Sequence, residues 1–272
     1  MLKKIEKARL FLSKHAAALR CPICRENLTL IGNSLVCVSR HTFNLNKKGY
    51  VNFLQTAPDT RHYTRKMFEP RRRLIQSGMY DGLLAEIQPY LSGDSLLDVG
   101  TGEGSFLQLL QFGTGAKFAF DIAKDGIEMA TELDMDSFLS LSDLTNLPFA
   151  DNSMSTVLNI LTPSNYAEFK RVLAADGRLI KVVPDKLYLQ ELRQVYGLPA
   201  DHDNSAVIAR FAQEFPDFQQ HEIYYEFDIP ENLRTDFLAM SPLEWAVSED
   251  VKANATQNPP KKATVHLQLL IS

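Results

Sequence analysis

Three cysteines and one histidine near the start of the chain have the types and spacing of metal ligands. Two residues separate Cys21 from Cys24, twelve separate Cys24 from Cys37, and three separate Cys37 from His41. Two such pairs, each beside a turn, can bring three thiolates and one imidazole to a tetrahedral ion with no open position. The pattern predicts one structural zinc per chain. The alternative is three buried cysteines and an unrelated surface histidine.

A second chemical signature is a glycine-rich loop that follows a short apolar run, Leu96–Val99. Glycines at every second position let a backbone approach a ligand closely, but dinucleotide-binding folds share this feature. The discriminating residue is the acid just before the loop, because its charge repels a pyrophosphate and attracts the ammonium group of S-adenosylmethionine (SAM). The loop therefore predicts a SAM site, and its residues are Asp98, Gly100, Gly102, Glu103 and Gly104. A dehydrogenase-type nucleotide fold is the alternative.

Two acids at the ends of later strand-like runs extend this predicted site. The run Phe118–Asp121 ends in a carboxylate that can accept hydrogen bonds from both ribose hydroxyls. A third apolar run leads into Asp143 and Leu144, where a carboxylate can accept a hydrogen bond from the adenine amino group. An acid in the adenine region also favours SAM over a dinucleotide.

These motifs need a sheet to position them, and strand-like and helix-like runs alternate from residue 95 onward. Such alternation is typical of βαβ units wound around a mostly parallel sheet, and it predicts an α/β, Rossmann-like fold. The predicted elements are, in order, Ser95–Val99, Ser105–Phe112, Lys117–Asp121, Asp125–Leu133, Ser137–Leu141, Ser155–Leu161, Tyr166–Leu173, Arg178–Val183 and Lys186–Tyr196.

The N-terminal region has a different pattern. A short amphipathic helix is predicted over residues 1–20, followed by brief strand-like runs with turns at Gly32-Asn33 and Lys47–Gly49. A segment of about 35 residues cannot bury enough apolar surface to fold alone, so the metal must supply folding energy. The region is therefore predicted to be a small zinc-binding β module, and a helix from Arg71 to about Ser77 is predicted after it.

Charge is distributed unevenly along the chain. The formal net charge is −4, yet residues 1–75 hold 16 Lys and Arg against 4 Asp and Glu, whereas residues 76–272 hold 13 against 29. This asymmetry suggests that the front of the chain meets a polyanion; the alternative is a solvated surface. No stretch approaches the ~20 apolar residues that cross a bilayer, and three cysteines make a poor disulfide framework. We therefore expect a cytoplasmic protein with no membrane partner.

Nearly end to end, the chain resembles the bacterial 23S rRNA (guanine-N1)-methyltransferases, a family of class I SAM-dependent methyltransferases. The resemblance includes the four-ligand finger and the glycine loop. Further matching segments are Lys48–Asn52, Arg71-Arg72, Gly78–Tyr80 and Met240–Trp245. The implied organisation is a zinc-binding RNA-recognition module at residues 1–54, a linker at 55–70 and a SAM-dependent methyltransferase domain at 71–272.

The resemblance also implies a reaction and further site residues. The sulfonium methyl group of SAM is expected to move to N1 of one guanine in a 23S rRNA hairpin loop. The protein must align this nucleophile and allow the N1 proton to leave. By position, Tyr80 is implied as an aromatic contact to the cofactor, and Tyr188 stands where some relatives have histidine. The catalytic residue is unknown, with Asn159 and Asp185 as the candidates. A homodimer is also implied.

Two other classes of function remain open at this point. One is a class I methyltransferase that acts on a small molecule or a protein and uses the zinc module for docking. The other is a catalytically silent RNA-binding protein that keeps the fold as a scaffold. The intact loop glycines and acids argue against the second class, and the basic front of the chain argues against the first.

Overall fold

The computed structural model describes residues 2–199 and 203–272. The chain forms two compact units. The first unit contains the chain up to Thr60 together with Tyr90–Ile180, and the second contains Arg61–Pro89 together with Lys181–Ser272. Among the described residues, no helix combines the length and the apolar character that crossing a membrane requires.

The first unit begins with helix α1 (Lys4–His15), which leads through a 3-10 turn into the predicted β module. Strands β1 (Thr29–Ile31), β2 (Ser34–Val36) and β3 (Thr42–Asn44) form a three-stranded antiparallel sheet. Ile31 pairs with Ser34 across the turn at Gly32-Asn33, as a two-residue hairpin requires. Gly32 has a φ of +62° there, a conformation that glycine adopts without strain.

The next strand, β4 (Tyr50–Asn52), belongs to a larger sheet and not to this small one. It pairs in parallel with β7 (Phe138–Leu141), and Tyr50 lies opposite Leu139. Tyr50 and Val51 are buried by this pairing, so the end of the module forms part of the main core. The compact units therefore differ from the segments 1–54, 55–70 and 71–272 expected from the sequence. Those segments remain a proposal about function.

The larger sheet of the first unit confirms the predicted Rossmann-like fold. Its further strands are β5 (Ser95–Val99), β6 (Ala116–Asp121), β8 (Met154–Ile160) and β9 (Leu173–Pro184). The strand order is β9-β8-β5-β6-β7-β4, and the pairs β5–β6, β5–β8, β6–β7 and β4–β7 are all parallel. The central strand β5 is fully buried, because side chains from both faces pack against core residues. The helices that follow α1 in this unit are α4 (Ser105–Leu109), α5 (Lys124–Ala130) and α6 (Tyr166–Val172), and the last four residues of β9 belong to the second unit.

The second unit is built around a long antiparallel pair of strands. Strands β10 (Gln219–Asp228) and β11 (Lys262–Ile271) pair along their whole length, from Gln219 opposite Ile271 to Asp228 opposite Lys262. The helices of this unit are α2 (Arg65–Gln76), α3 (Asp81–Ile87), α7 (Gln190–Val195), α8 (Ser205–Glu214), α9 (Arg234–Ala239) and α10 (Glu249–Gln257).

Helix α2 begins at Arg65, six residues before the predicted start at Arg71 and inside the predicted linker. Its buried residues recur after seven positions, which places Met67, Phe68, Leu74 and Ile75 on one face. Burying that face outweighs the single backbone hydrogen bond that a proline inside the helix removes. The predicted start of the helix was wrong because Pro70 was taken as the end of the linker.

Candidate zinc and cofactor sites

The four predicted metal ligands converge at the start of the first unit. Their ligand atoms all lie within 4.8 Å of one another. The Sγ atoms of Cys24 and Cys37 are 3.6 Å apart, and Nδ1 of His41 lies 3.5 Å from the Sγ of Cys21 and 3.4 Å from that of Cys37. Zinc bound to sulfur at about 2.3 Å and to nitrogen at about 2.0–2.1 Å implies tetrahedral edges of about 3.7 Å and 3.5 Å. The residues therefore fit a closed structural zinc site.

Two tight backbone turns hold these ligands. After Cys21, the N–H of Arg25 donates to the Cys21 carbonyl at 2.9 Å, and after Cys37 the N–H of Arg40 donates to the Cys37 carbonyl at the same distance. Both arginines adopt left-handed conformations, with φ of 67° and 66°. The N–H of His41 also donates to the Cys37 sulfur at 3.3 Å. Such N–H donors stabilise negative charge on sulfur, and they favour the thiolates that bind zinc.

The glycine loop follows β5 with the backbone close to its neighbours. Gly100 has a φ of +68°, and a Cβ at this position would lie 2.7 Å from Cγ2 of Thr162. The N–H of Gly102 donates to Oδ2 of Asp121 at 2.8 Å, and the N–H of Ala123 donates to Oδ1 at 2.8 Å. The predicted ribose ligand is thus already oriented by two backbone donors. A carboxylate is an acceptor of the kind that ribose hydroxyl groups require.

Asp98 provides the test of whether the loop fits SAM. Its side chain is only 3% exposed, and its Oδ2 has no hydrogen-bond partner among the described residues. Burial raises the pKa of Asp98 to about 7; the Thr101 side chain offsets part of this increase, and the nearby charges of Asp121 and Glu103 add to it. An unpaired buried carboxylate is costly. A ligand ammonium group in this place would supply the missing partner, so the residue fits the amino-acid end of SAM.

Glu103 and Gly104 shape the far end of the loop. Oε2 of the buried Glu103 accepts a hydrogen bond from the Ser105 hydroxyl at 2.7 Å, at the start of α4. Gly104 has a φ of +87°, and a Cβ there would lie 3.0 Å from that of Ala130. Both residues therefore hold the loop against α4 and α5.

The predicted adenine residues form a turn after β7. Asp143 is exposed, and its Oδ1 accepts the N–H of Thr145 at 2.8 Å while its carbonyl accepts the N–H of Asn146 at 3.1 Å. Leu144 lies half-buried between these two contacts. The second oxygen of an exposed carboxylate of this kind can accept from an amino group.

Asn159 lies at the end of β8, and its amide is engaged within its own loop. Nδ2 donates to Oγ1 of Thr162 at 2.5 Å and to the carbonyl of Pro163 at 3.0 Å, while Oδ1 accepts from the Ser164 hydroxyl at 3.2 Å. Oγ1 of Thr162 also donates to the carbonyl of Val99, directly before the glycine loop. Asn159 thus shapes the loop that packs against Gly100. Its predicted role toward the acceptor base stays a prediction.

The two predicted aromatic contacts lie together in the second unit. The hydroxyl groups of Tyr80 and Tyr188 are 2.6 Å apart, and both side chains are buried. Burial raises the pKa of each hydroxyl, and the positive charge of Arg71 offsets part of this increase. Both hydroxyl groups are therefore neutral near pH 7.

Asp185, the other catalytic candidate, is half-buried and bound by neighbouring side chains. Its Oδ2 accepts from Gln268 at 2.5 Å and lies 3.2 Å from Nε2 of His266, which is also 2.8 Å from Oε1 of Glu222. Burial raises the pKa of Asp185, but the donors Gln268 and the Lys186 backbone, with His266, outweigh it and leave the pKa below its ordinary value.

The Asp185, Glu222 and His266 cluster has the composition of a cation site but does not fit one. Nδ1 of His266 accepts the N–H of Leu187 at 3.2 Å, so the ring proton is on Nε2. A protonated Nε2 donates to the two carboxylates and cannot bind a metal at the same time. The cluster instead fastens the segment that precedes Tyr188 to β11. No sequence signal marks it, because its members come from three distant segments.

Comparisons with known proteins agree with both sites. Residues 19–56 match a zinc-ribbon family model described as "RlmA, N-terminal", and residues 97–181 match a model described as "Methyltransferase domain". The putative 23S rRNA (guanine-N(1)-)-methyltransferase YxjB of Bacillus subtilis is 36% identical over 93% of this chain and 95% of its own length. The chain belongs to the 23S rRNA (guanine-N1)-methyltransferase family.

A second curated relative and a solved structure are also similar to this chain. The 23S rRNA (guanine(748)-N(1))-methyltransferase of Streptomyces fradiae is 28% identical over 89% of this chain and 91% of its own length. A putative methyltransferase from an antibiotic biosynthesis pathway of Anabaena variabilis has a TM-score of 0.53 at 14% identity, covering 70% of this chain and 96% of that one. At this low identity, the similarity to the Anabaena variabilis structure is evidence for the fold alone.

Membership of the guanine-N1 methyltransferase family identifies the two groups that the sites hold. The chain is a SAM-dependent rRNA methyltransferase, its partner is 23S rRNA, and Cys21, Cys24, Cys37 and His41 bind one structural zinc. The four sulfur and nitrogen ligands leave no vacancy for substrate, so the zinc takes no part in methyl transfer.

Proposed function

We propose that this chain transfers the methyl group of SAM to N1 of one guanine in a hairpin loop of 23S rRNA. The observation that carries the proposal is the buried Oδ2 of Asp98, which has no hydrogen-bond partner within residues 2–199 and 203–272. It lies at the end of β5, ahead of a loop with glycines at 100, 102 and 104. A scaffold that only bound RNA would gain nothing from this costly carboxylate. A bound ammonium group offsets the cost and makes the residue useful.

The cofactor supplies an electrophilic methyl group on a positively charged sulfur, and the chain binds and orients it. We assign the ammonium contact to Asp98, the ribose hydroxyls to Asp121, and the adenine edge to Asp143 and the backbone of Leu144. Gly100, Gly102, Glu103 and Gly104 keep the backbone close to the ligand. Tyr80 and Tyr188 are proposed as aromatic contacts to the cofactor.

Proton removal from guanine N1 is the remaining chemical requirement. Asp185 is a poor base, because its pKa is lowered and its oxygens already accept from Gln268 and the Lys186 backbone. The amide of Asn159 has no basic atom, so its proposed role is limited to orienting groups near the acceptor. We therefore propose that the N1 proton leaves to water once the guanine has left its stack.

The zinc module is proposed to grip the RNA. Exposed basic side chains on it include Arg40 and Lys47, whereas the exposed Lys48 donates to Oε2 of Glu128 at 2.7 Å. Contacts to phosphates from such residues bind RNA without reading its sequence. We further propose a homodimer, and a cytoplasmic location that follows from the ribosomal substrate.

Methyl transfer to rRNA provides the test. The protein is incubated with methyl-labelled SAM and 23S rRNA from cells that lack this gene, and reverse-transcription stops are then mapped, because N1 methylation blocks base pairing. One new stop at a loop guanine, absent with Gly102→Val protein, is the expected result. Label in protein or small molecules but not in rRNA would contradict the proposal and favour the alternative substrate classes.

A further inference from the structure

The segment that enters the zinc site runs beside the loop that follows β7. In the first unit, the N–H of Arg20 donates to the carbonyl of Pro148 at 3.1 Å, and the N–H of Ala150 donates to the carbonyl of Ala18 at 2.9 Å. Leu19 and Phe149 form an isolated antiparallel bridge between these contacts, and both are fully buried. The zinc module and the adenine-side loop therefore share a backbone junction.

One side chain extends this junction into the zinc turn itself. Nδ2 of Asn146 donates to the carbonyl of Pro22 at 2.7 Å, and Pro22 lies between the ligands Cys21 and Cys24. A carbonyl only accepts, so the nitrogen of the amide must face it. Oδ1 of Asn146 is buried without a hydrogen-bond partner among the described residues, so this side chain is held by its contact with the zinc turn.

We infer that Asn146 is a positioning residue through which the zinc turn sets the Asp143–Asn146 turn, so that zinc binding supports SAM binding at a separate site. The inference rests on the proposed adenine role of Asp143 and Leu144. Zinc fixes the residues on both sides of Pro22, and therefore the carbonyl that Asn146 reaches. Asn146 in turn donates its own N–H to the carbonyl of Asp143 at 3.1 Å.

Residues 147–149 of the loop after β7 are held by contacts with α6. These contacts limit how much SAM affinity can fall when the Asn146 contact is lost. Oε2 of Glu168 accepts the N–H of Leu147 at 2.7 Å, and Arg171 donates to the carbonyls of Leu147 and Phe149 at 3.1 and 2.7 Å. Glu168 and Arg171 belong to α6, and their link to the zinc turn is a longer one, 4.0 Å from Nη1 of Arg25 to Oε1 of Glu168. Losing the tether therefore loosens the turn and weakens SAM binding without abolishing it.

The test compares substitutions of Asn146 with the same type of substitution at a control asparagine. Asn146→Asp and Asn146→Ala both remove the donor to Pro22, and agreement between them separates tether loss from added charge. Asn44→Asp is the matched control, because Asn44 is exposed and its Oδ1 accepts from the Ser34 hydroxyl inside the small sheet. Calorimetry with S-adenosylhomocysteine gives Kd for each full-length protein, and elemental analysis gives its zinc content.

We expect both Asn146 variants to keep one zinc and to bind S-adenosylhomocysteine with a Kd roughly 3- to 10-fold higher, as for one lost hydrogen bond. Asn44→Asp should bind like the wild type. Wild-type affinity in the Asn146 variants would overturn the inference and leave the proposed methylation untouched. Methylation of rRNA by the wild type is measured separately, so its failure would be recognised as a failure of the proposed function.

A second measurement separates a tether from general damage to the fold. Zinc is stripped from the wild type and from Asn146→Ala with a chelator, and Kd is measured again. If Asn146 transmits the effect, stripping should raise Kd by a smaller factor in the variant than in the wild type. Equal factors in the two proteins would overturn the inference. If stripped protein unfolds, the comparison of Asn146 variants with Asn44→Asp decides alone.

Discussion

Gly102 and Asp121 are joined directly: the glycine N–H donates to the aspartate Oδ2 at 2.8 Å across the loop that follows β5. The same carboxylate accepts the N–H of Ala123 through its other oxygen. One side chain thus fixes the glycine loop and faces the proposed ribose position. Its substitution should affect both the free protein and its ligand affinity.

For Asp121→Ala we expect weaker SAM binding, by roughly 1–3 kcal/mol for the loss of a charged hydrogen-bonding partner. The free protein should also be less stable, because two backbone donors lose their acceptor. Calorimetry and thermal unfolding measure the two effects. Asp217→Ala, at an exposed site in the second unit, is the control. Unchanged SAM affinity in Asp121→Ala would show that the ribose lies elsewhere.

Asp98→Asn should raise the stability of the free protein and weaken its binding of SAM. Burial raises the pKa of Asp98 to about 7, so its folded-state pKa exceeds the unfolded value. Its contribution to stability is therefore complete below about pH 4 and is lost as the pH rises toward 7. At pH 8 the asparagine variant should unfold at a higher temperature than the wild type without ligand.

The same variant should bind SAM more weakly, because an amide cannot neutralise the ligand ammonium. Thermal unfolding at pH 5 and pH 8, with and without SAM, measures both effects. The stabilisation by Asp98→Asn should be larger at pH 8 than at pH 5. A variant that bound SAM as tightly as the wild type would disprove the ammonium contact.

Cys24→Ser should release the zinc, since a hydroxyl is a poor zinc ligand. Elemental analysis should fall from one zinc per chain to none, and the unfolding midpoint should drop, because metal binding contributes folding energy. Ser39→Ala, at an exposed position in the second zinc turn, is the control and should keep its zinc. Protein purified without chelator that lacked stoichiometric zinc would contradict the assignment.

Among the basic residues of the N-terminal part of the chain, some should contribute to stability and others to RNA binding. Arg73 donates to both oxygens of Asp236 at 2.6 Å, so Arg73→Ala should lower the unfolding midpoint and leave the salt dependence of RNA binding unchanged. Lys47 is exposed on the zinc module. Lys47→Ala should lower the slope of log affinity against log salt by about 1. Filter binding at several salt concentrations distinguishes the two, and equal slopes for Lys47→Ala and wild type would exclude a phosphate contact there.

Local patterns were sufficient to predict most elements of the first unit. Strand β5 has the bounds that its apolar run predicted, and β6, β7 and β8 begin within one residue of their predicted starts. These segments are buried, so their apolar character directly reflects their position in the sheet. The start of helix α2 was predicted incorrectly. The helix begins before its proline because Met67 and Phe68 are buried, and such packing cannot be inferred from the position of a proline in the sequence.

The sequence by itself determined the chemistry of the two sites. Ligand spacing identified the zinc site, and an acid ahead of a glycine loop identified the cofactor site, because each pattern lies within a short stretch where residue type and backbone geometry are linked directly. Only the tertiary structure decided that β4 joins the main sheet, that Asn146 reaches Pro22, and that Asp185 is held by His266 and Gln268. These contacts join residues 80 or more positions apart, and such pairs are selected by the packing of whole elements, which leaves no periodic trace in the chain.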